Sequence, residues 1–233
     1  MVFSIEHQLE MPDSFPANEM HRFIDAGRSI LTVPIMSDTW KEFGLASNLI
    51  GYRFRACHED MSKYIHSWNA YDADVLFEEI YLRENALFGM FTAGVSCIES
   101  TCYALNALAS HPKLLNFKFG KDEQYKSTPN NLQVILSSYA KSNSLASVLD
   151  VLIKSKEWKE WVDLRNRMSH RSCLPRIIKG AIGSKPPPAK ALEFSATLST
   201  PALAEGVQHL EAMFTWLTNS LCDLLVEGEV FAN

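Results

Sequence analysis

The chain has 233 residues, of which 47% are hydrophobic, 21% charged and 11% aromatic, with ten glycines and ten prolines. This composition supports a packed core and excludes a disordered chain, a collagen-like repeat and a linker-dominated architecture. The longest near-apolar stretch, Ala86 to Ile98, contains Gly, Thr and Ser and is too short to span a bilayer. The opening MVFSIEHQLEMPDSF carries Glu6, His7 and Glu10 where a secretory leader needs a basic start and an apolar run. A soluble, cytoplasmic protein with no membrane partner is expected.

In chain order, residues 1–16 read as an extended arm punctuated by Pro12 and Pro16. A short helix is predicted from Ala17 or Asn18 to about Leu31, before Pro34. Ser37 or Asp38 then suits an N-cap for a long helix, in which Trp40, Phe43, Leu45, Leu49, Ile50, Phe54, Cys57, Met61, Tyr64 and Ile65 follow the 3.6-residue period. The strongest helical segment runs from about Asp74 to Ser110. It is apolar around most of its circumference and should form the central buried helix. His111-Pro112 marks its end, because a residue before proline avoids helical geometry. Its small residues, among them Gly94, Ser96 and Ser100, allow close helix approach.

Helices are next predicted over about 131–140, 144–154 and 156–170. Residues 172–200 read as irregular, with LEFSATLS as a possible short strand. Thr200-Pro201 opens a last helix that carries Leu210, Phe214, Leu217, Leu221 and Leu224 on one face to about Val226. The expected fold is an all-α helical bundle with an irregular basic loop before the last helix.

The cysteines, Cys57, Cys97, Cys102, Cys173 and Cys222, are odd in number and form no CxxC pair. Reduced, packed thiols are expected rather than disulfides or a zinc site. The histidines show no metal-ligand spacing, and no metal or cofactor is expected.

Net charge is −5, but it is unevenly spread. Residues 164–192 hold seven basic residues (Arg165, Arg167, Arg171, Arg176, Lys179, Lys185 and Lys190) and no acid, which leaves 15 basic against 27 acidic residues elsewhere. A basic segment on an acidic body suits either a polyanionic partner or a solvated basic loop.

The segment opens with Leu164-Arg165-Asn166-Arg167-Met168-Ser169-His170. Arg165 and His170 are separated by four residues, and Asn directly follows the Arg. A second R-x4-H spacing, Arg53 to His58, lies inside the long amphipathic helix and lacks the polar residue after its Arg. The first pattern resembles the R-x4-6-H signature of HEPN domains, in which the residue after the Arg is commonly polar and often Asn. The resemblance extends to the layout, a helical bundle with the motif late in the chain after a long apolar helix. It implies a single domain over 1–233, with helices of 17–68 packed on a HEPN-like core of about 72–227.

The resemblance further implies a metal-independent endoribonuclease, of a kind found in toxin–antitoxin and other defence systems. It would act as a homodimer and could meet an antitoxin or other neutralising protein. Arg165, Asn166 and His170 would be catalytic, and Arg167, Arg171, Arg176 and Lys179 would hold the RNA backbone. Glu99 matches an acidic position often seen in the long apolar helix, where it would support the site or form a structural ion pair. The family also contains non-catalytic modules that bind RNA or a nucleotide, which is the alternative reading.

The residue types suit the chemistry. Histidine titrates near neutral pH and can move the proton of a ribose 2′-hydroxyl. A guanidinium offers a forked donor set to a developing phosphorane. The products would be a 2′,3′-cyclic phosphate and a 5′-hydroxyl, and DNA would be spared because it lacks the 2′-hydroxyl. Cations in the last turns of a helix also favour its dipole, which alone accounts for basic residues there but not for the Asn. Five residues along a helix turn through about 500°, which leaves Arg165 and His170 about 140° apart. The pair works together only if the helix ends near His170 or a second copy completes the site. Trp158 and Trp161, just upstream, suit core packing or base stacking.

Overall fold

The computed structural model describes residues 1–32, 38–70, 77–125, 127–170, 176–178, 192–194 and 206–233. Among these the fold is all-α. The helices are α1 (Ala17–Leu31), α2 (Asp38–Ala70), α3 (Phe77–Ala109), α4 (Lys121–Gln124), α5 (Pro129–Leu136), α6 (Asn143–Lys154), α7 (Lys156–His170) and α8 (Gly206–Ala232). The strands form two separate two-stranded antiparallel sheets, β1 (Val2–Ser4) with β2 (Leu9–Met11), and β3 (Arg176–Ile178) with β4 (Leu192–Phe194). No helix among the described residues is long and apolar enough to cross a membrane.

The chain divides into two compact units. One comprises 1–55, 96–158 and 216–233, and the other 56–95 and 159–215. The helices α2, α3, α7 and α8 each contribute residues to both.

In the first unit, α1 buries Met20, Phe23, Ile24, Ile30 and Leu31 along one stripe. Phe23 meets Phe43 at 5.2 Å between ring centroids, and Phe15 meets Phe54 at 5.3 Å. The C-terminal half of α3 buries Cys97, Ile98, Cys102, Leu105 and Leu108. Each large apolar side chain buried in this way contributes about 1.5–3 kcal/mol. Thr128 caps α5 by accepting from the Asn131 amide, with Pro129 at the first helical position.

The predicted N-terminal arm is a hairpin. Val2 pairs with Met11 and Ser4 with Leu9, and Gln8 turns the chain at φ 53°. Its turn places His7 in the core, 5% exposed. His7 Nδ1 lies 2.8 Å from Ser4 Oγ, and Nε2 donates to the Ser47 carbonyl at 3.2 Å. The ring lies so close to Gly51 that a Cβ there would stand 2.3 Å from Nε2.

In the second unit, the N-terminal half of α3 buries Leu87, Met90, Phe91 and Val95, and α7 buries Trp161 and Leu164. Phe91 and Trp161 meet edge to face at 5.4 Å. Phe91, Ile98 and Leu105 are each fully buried, as expected of the central helix, whereas Tyr81, Leu82 and Phe88 nearer the start of α3 are exposed. Cys57, Cys97, Cys102 and Cys222 are free thiols, and burial pushes the Cys97 and Cys102 thiols well above the usual range. Cys173 lies outside the described residues.

Candidate functional site

The helix that carries the Arg-Asn-x3-His pattern begins at a capped end. The Ser155 hydroxyl accepts from the Trp158 amide at 3.1 Å, which satisfies one of the free donors of the first turn. Helix α7 then continues to His170, the predicted boundary. Trp158, Trp161 and Leu164 are buried at spacings of three. Trp158 stacks on Trp216 at 6.5 Å between centroids in the first unit, and Trp161 packs on Phe91 in the second. Both tryptophans are therefore packing residues.

Arg165 follows Trp161 by four positions, so it projects from the same inward stripe. It is half-buried, and its Nε is shut off from solvent. Asn166 is also half-buried. Arg167, on the opposite side of the helix, pairs with Asp163 at 2.7 Å between Nε and a carboxylate oxygen. One charge assigned to RNA is thus partly neutralised within α7 itself. Glu160 on the same helix accepts from His209 Nε2 of α8 at 2.8 Å, a pair that no motif announces.

His170 is the last residue of α7, and its backbone direction stands about 140° from that of Arg165 on a regular helix. The side chain of His170 lies outside the described residues, as do Arg171, Lys179 and the side chain of Arg176. Arg176 itself opens β3, and β4 occupies the start of the segment read as a possible strand.

Glu99 belongs to the first unit. It is half-buried in a cleft of about 510 Å3 between α2 and α3, whose walls also carry Glu42, Arg53 and Tyr103. Arg53, the first member of the second R-x4-H spacing, is therefore a wall residue of that cleft. His58 belongs to the second unit, where its ring packs on Phe214 at 5.4 Å. Burial pulls its imidazole below the ordinary value, against the charge of Glu59. These are the environments of a cleft-edge cation and a packing ring.

Among the described residues, one trio has metal-ligand proximity: Glu6, His21 and Asp25. Both nitrogens of His21 are already engaged, Nδ1 with Glu6 at 2.7 Å and Nε2 with Asp25 at 3.3 Å. Two of the three residues are exposed, and the arrangement is a surface ion-pair cluster.

No family model, no curated protein and no solved structure matches the chain.

Proposed function

We propose that the chain is a HEPN-like, metal-independent endoribonuclease in which Arg165, Asn166 and His170 do the chemistry. The observation that carries this reading is the setting of Arg165. It is a guanidinium on the packed stripe of α7, half-buried beside Trp161, at the head of a segment free of acids. A guanidinium held half-buried on a packed helix is suited to present its charge and forked donors in a fixed geometry.

His170 takes the proton of a 2′-hydroxyl as its oxygen attacks the adjacent phosphorus. The 5′-oxygen leaves with a proton returned by a His170 imidazolium, and a 2′,3′-cyclic phosphate remains. Arg165 stabilises the charge that builds on the non-bridging oxygens. Asn166 orients the phosphate or the imidazole through its amide. The 140° between Arg165 and His170 favours a homodimer whose two-fold axis brings both copies of each residue into one cleft. Arg171, Arg176 and Lys179 extend the RNA path, with Arg167 in a secondary role because of its bond to Asp163. Such an enzyme fits a toxin or defence role in the cytoplasm, held in check by a neutralising protein.

The test is incubation of the purified chain with RNA in the presence of EDTA, followed by analysis of the new ends. Cleavage to 2′,3′-cyclic phosphate and 5′-hydroxyl ends is expected. RNA retention at low salt without cleavage would replace this reading with that of a non-catalytic binding module.

A further inference from the structure

Helices α2 and α3 run antiparallel in the first unit. Tyr103 of α3 bonds Glu42 of α2, and Cys97, six residues earlier, reaches the carbonyl of Ile50, eight residues later. Small residues on α3, Ser96 and Ser100, leave the space between them open as a cleft of about 510 Å3. On α2 the positions facing it are Glu42, Leu45, Leu49 and Arg53, one continuous helical stripe.

Three properties of the stripe point to a ligand. Its middle is apolar yet wet, since Leu45 is 67% and Leu49 37% exposed. Its ends carry opposite charge, Glu42 at one and Arg53 at the other, separated by about 16 Å of axial rise. Both charges have capacity to spare. Glu42 accepts a hydrogen bond from the Tyr103 hydroxyl at 2.7 Å on one carboxylate oxygen. Arg53 is exposed and makes no ion pair among the described residues. Glu99, one turn before Tyr103, adds a second carboxylate to the α3 wall. Glu42 makes one end acidic and Arg53 the other basic, and Glu99 stands about 6 Å along α3 from the Tyr103 level, toward the middle of the stripe.

We infer that this cleft binds an elongated dipolar molecule, with an ammonium group at the Glu42 end, an aliphatic body along Leu45 and Leu49, and a carboxylate at Arg53. The mixture of apolar wall and a few convergent polar groups is that of a small-molecule site. A diamine would meet Arg53 with like charge, and a dicarboxylate would meet Glu42 and Glu99. Free ω-amino acids and short peptides with free termini share the chemistry required.

Isothermal titration calorimetry of the full chain tests this with a ladder of ω-amino acids from γ-aminobutanoate to ω-aminododecanoate. The matched diamines and dicarboxylates serve as controls, and tetraglycine as the peptide probe. Saturable binding with an optimum chain length is expected, about tenfold tighter than either control of the same length. Tighter binding of tetraglycine, which has charged ends but no aliphatic body, than of every ω-amino acid would contradict the apolar contact with Leu45 and Leu49. Glu42→Gln and Arg53→Gln should each weaken binding by about tenfold. Ser96→Leu, which fills the space without a change of charge, should abolish it. Absence of saturable binding by any probe would overturn the inference. So would binding that diamine or dicarboxylate matches, or that all three substitutions leave unchanged. RNA cleavage is scored separately, so failure here leaves the ribonuclease reading standing, and the reverse holds.

Discussion

Gly94 of α3 lies directly against the six-membered ring of Trp161 of α7: a Cβ at residue 94 would stand 2.4 Å from Cζ3 and 2.6 Å from Cη2. The absence of a side chain at Gly94 sets how closely the helix that carries Arg165 can pack on α3. Because the indole is rigid and fully buried, Gly94→Ala should cost about 1–3 kcal/mol by overpacking, measured by urea denaturation. Gly44→Ala is the contrasting case. It is a mid-helix glycine with nothing within 4 Å of the added carbon, and should stabilise by about 0.5–1 kcal/mol. A destabilised Gly44→Ala, or a neutral Gly94→Ala, would contradict the packing described.

The N-terminal hairpin should be acid-sensitive. Burial holds the His7 imidazole below its ordinary value of 6.5, against the Ser47 carbonyl bond and the charge of Glu6, which act the other way. With the folded value below the unfolded one, the unfolded chain takes up the proton first. The stability that neutral His7 contributes is complete above about pH 6.5 and is lost as pH falls through the folded value. His58 and His111 shift in the same direction, so the wild-type slope contains all three. The difference in urea stability between wild type and His7→Gln isolates one of them, and it should change in favour of the variant between pH 7.5 and pH 5. A constant difference would show that His7 does not titrate in this range.

RNA binding should be steeply salt-dependent and centred on 164–192. Arg176→Glu combined with Lys179→Glu should weaken all RNA sequences alike. It should also lower the slope of log affinity against log salt by about one unit for every phosphate that is no longer neutralised. Filter binding across a salt series reads both quantities, and unchanged affinity would reduce the basic segment to a solvated loop.

Much of the helical layout was legible because its boundaries have local causes. Ser155 caps α7 through its own hydroxyl, and the tryptophan spacing carries the helix to His170. The all-round apolarity of the Ala86–Ala109 stretch marks α3 as buried, and Phe91, Ile98 and Leu105 within it are all buried. The N-terminal hairpin was not legible. Its turn uses Gln8 at positive φ where glycine or asparagine would have signalled it, and its docking depends on His7 reaching Ser47, forty residues away. Helix α8 runs to Ala232, past the expected end near Val226. The Glu-Gly-Glu at 227–229 reads as a polar stop, yet Phe231 and Ala232 beyond it are buried.

The site was legible in part. The pattern around Arg165 is local, and so was found. Glu99 was attached to it by its place in the apolar helix, whereas side-chain surroundings are a tertiary property: its cleft partners Glu42 and Arg53 come from α2. The Asp163–Arg167 bond follows the i,i+4 rule and was readable in principle. The Glu160–His209 pair joins helices 49 residues apart and was not.

The composite site predicts complementation between two inactive variants. Arg165→Ala and His170→Ala homodimers should each be nearly inert. In the proposed homodimer, a mixed pair would supply Arg165 from one protomer and His170 from the other across the two-fold axis. Co-refolding the two variants should therefore recover measurable cleavage. No recovery despite dimer exchange, or a monomer at micromolar concentration, would contradict a shared cleft.

The most direct test of the ribonuclease reading compares the two R-x4-H spacings in one assay. Wild type, Arg165→Ala, Arg165→Lys, His170→Ala and His58→Gln are incubated with the same RNA in EDTA, and initial cleavage rates are measured. Loss of a positioned acid or base typically costs about 10²–10⁴-fold, so His170→Ala should fall by that factor while His58→Gln keeps its rate. Arg165→Ala should fall comparably, and Arg165→Lys should recover little because a point charge lacks the guanidinium fork. Full cleavage without His170, or equal losses at His58 and His170, would contradict the mechanism.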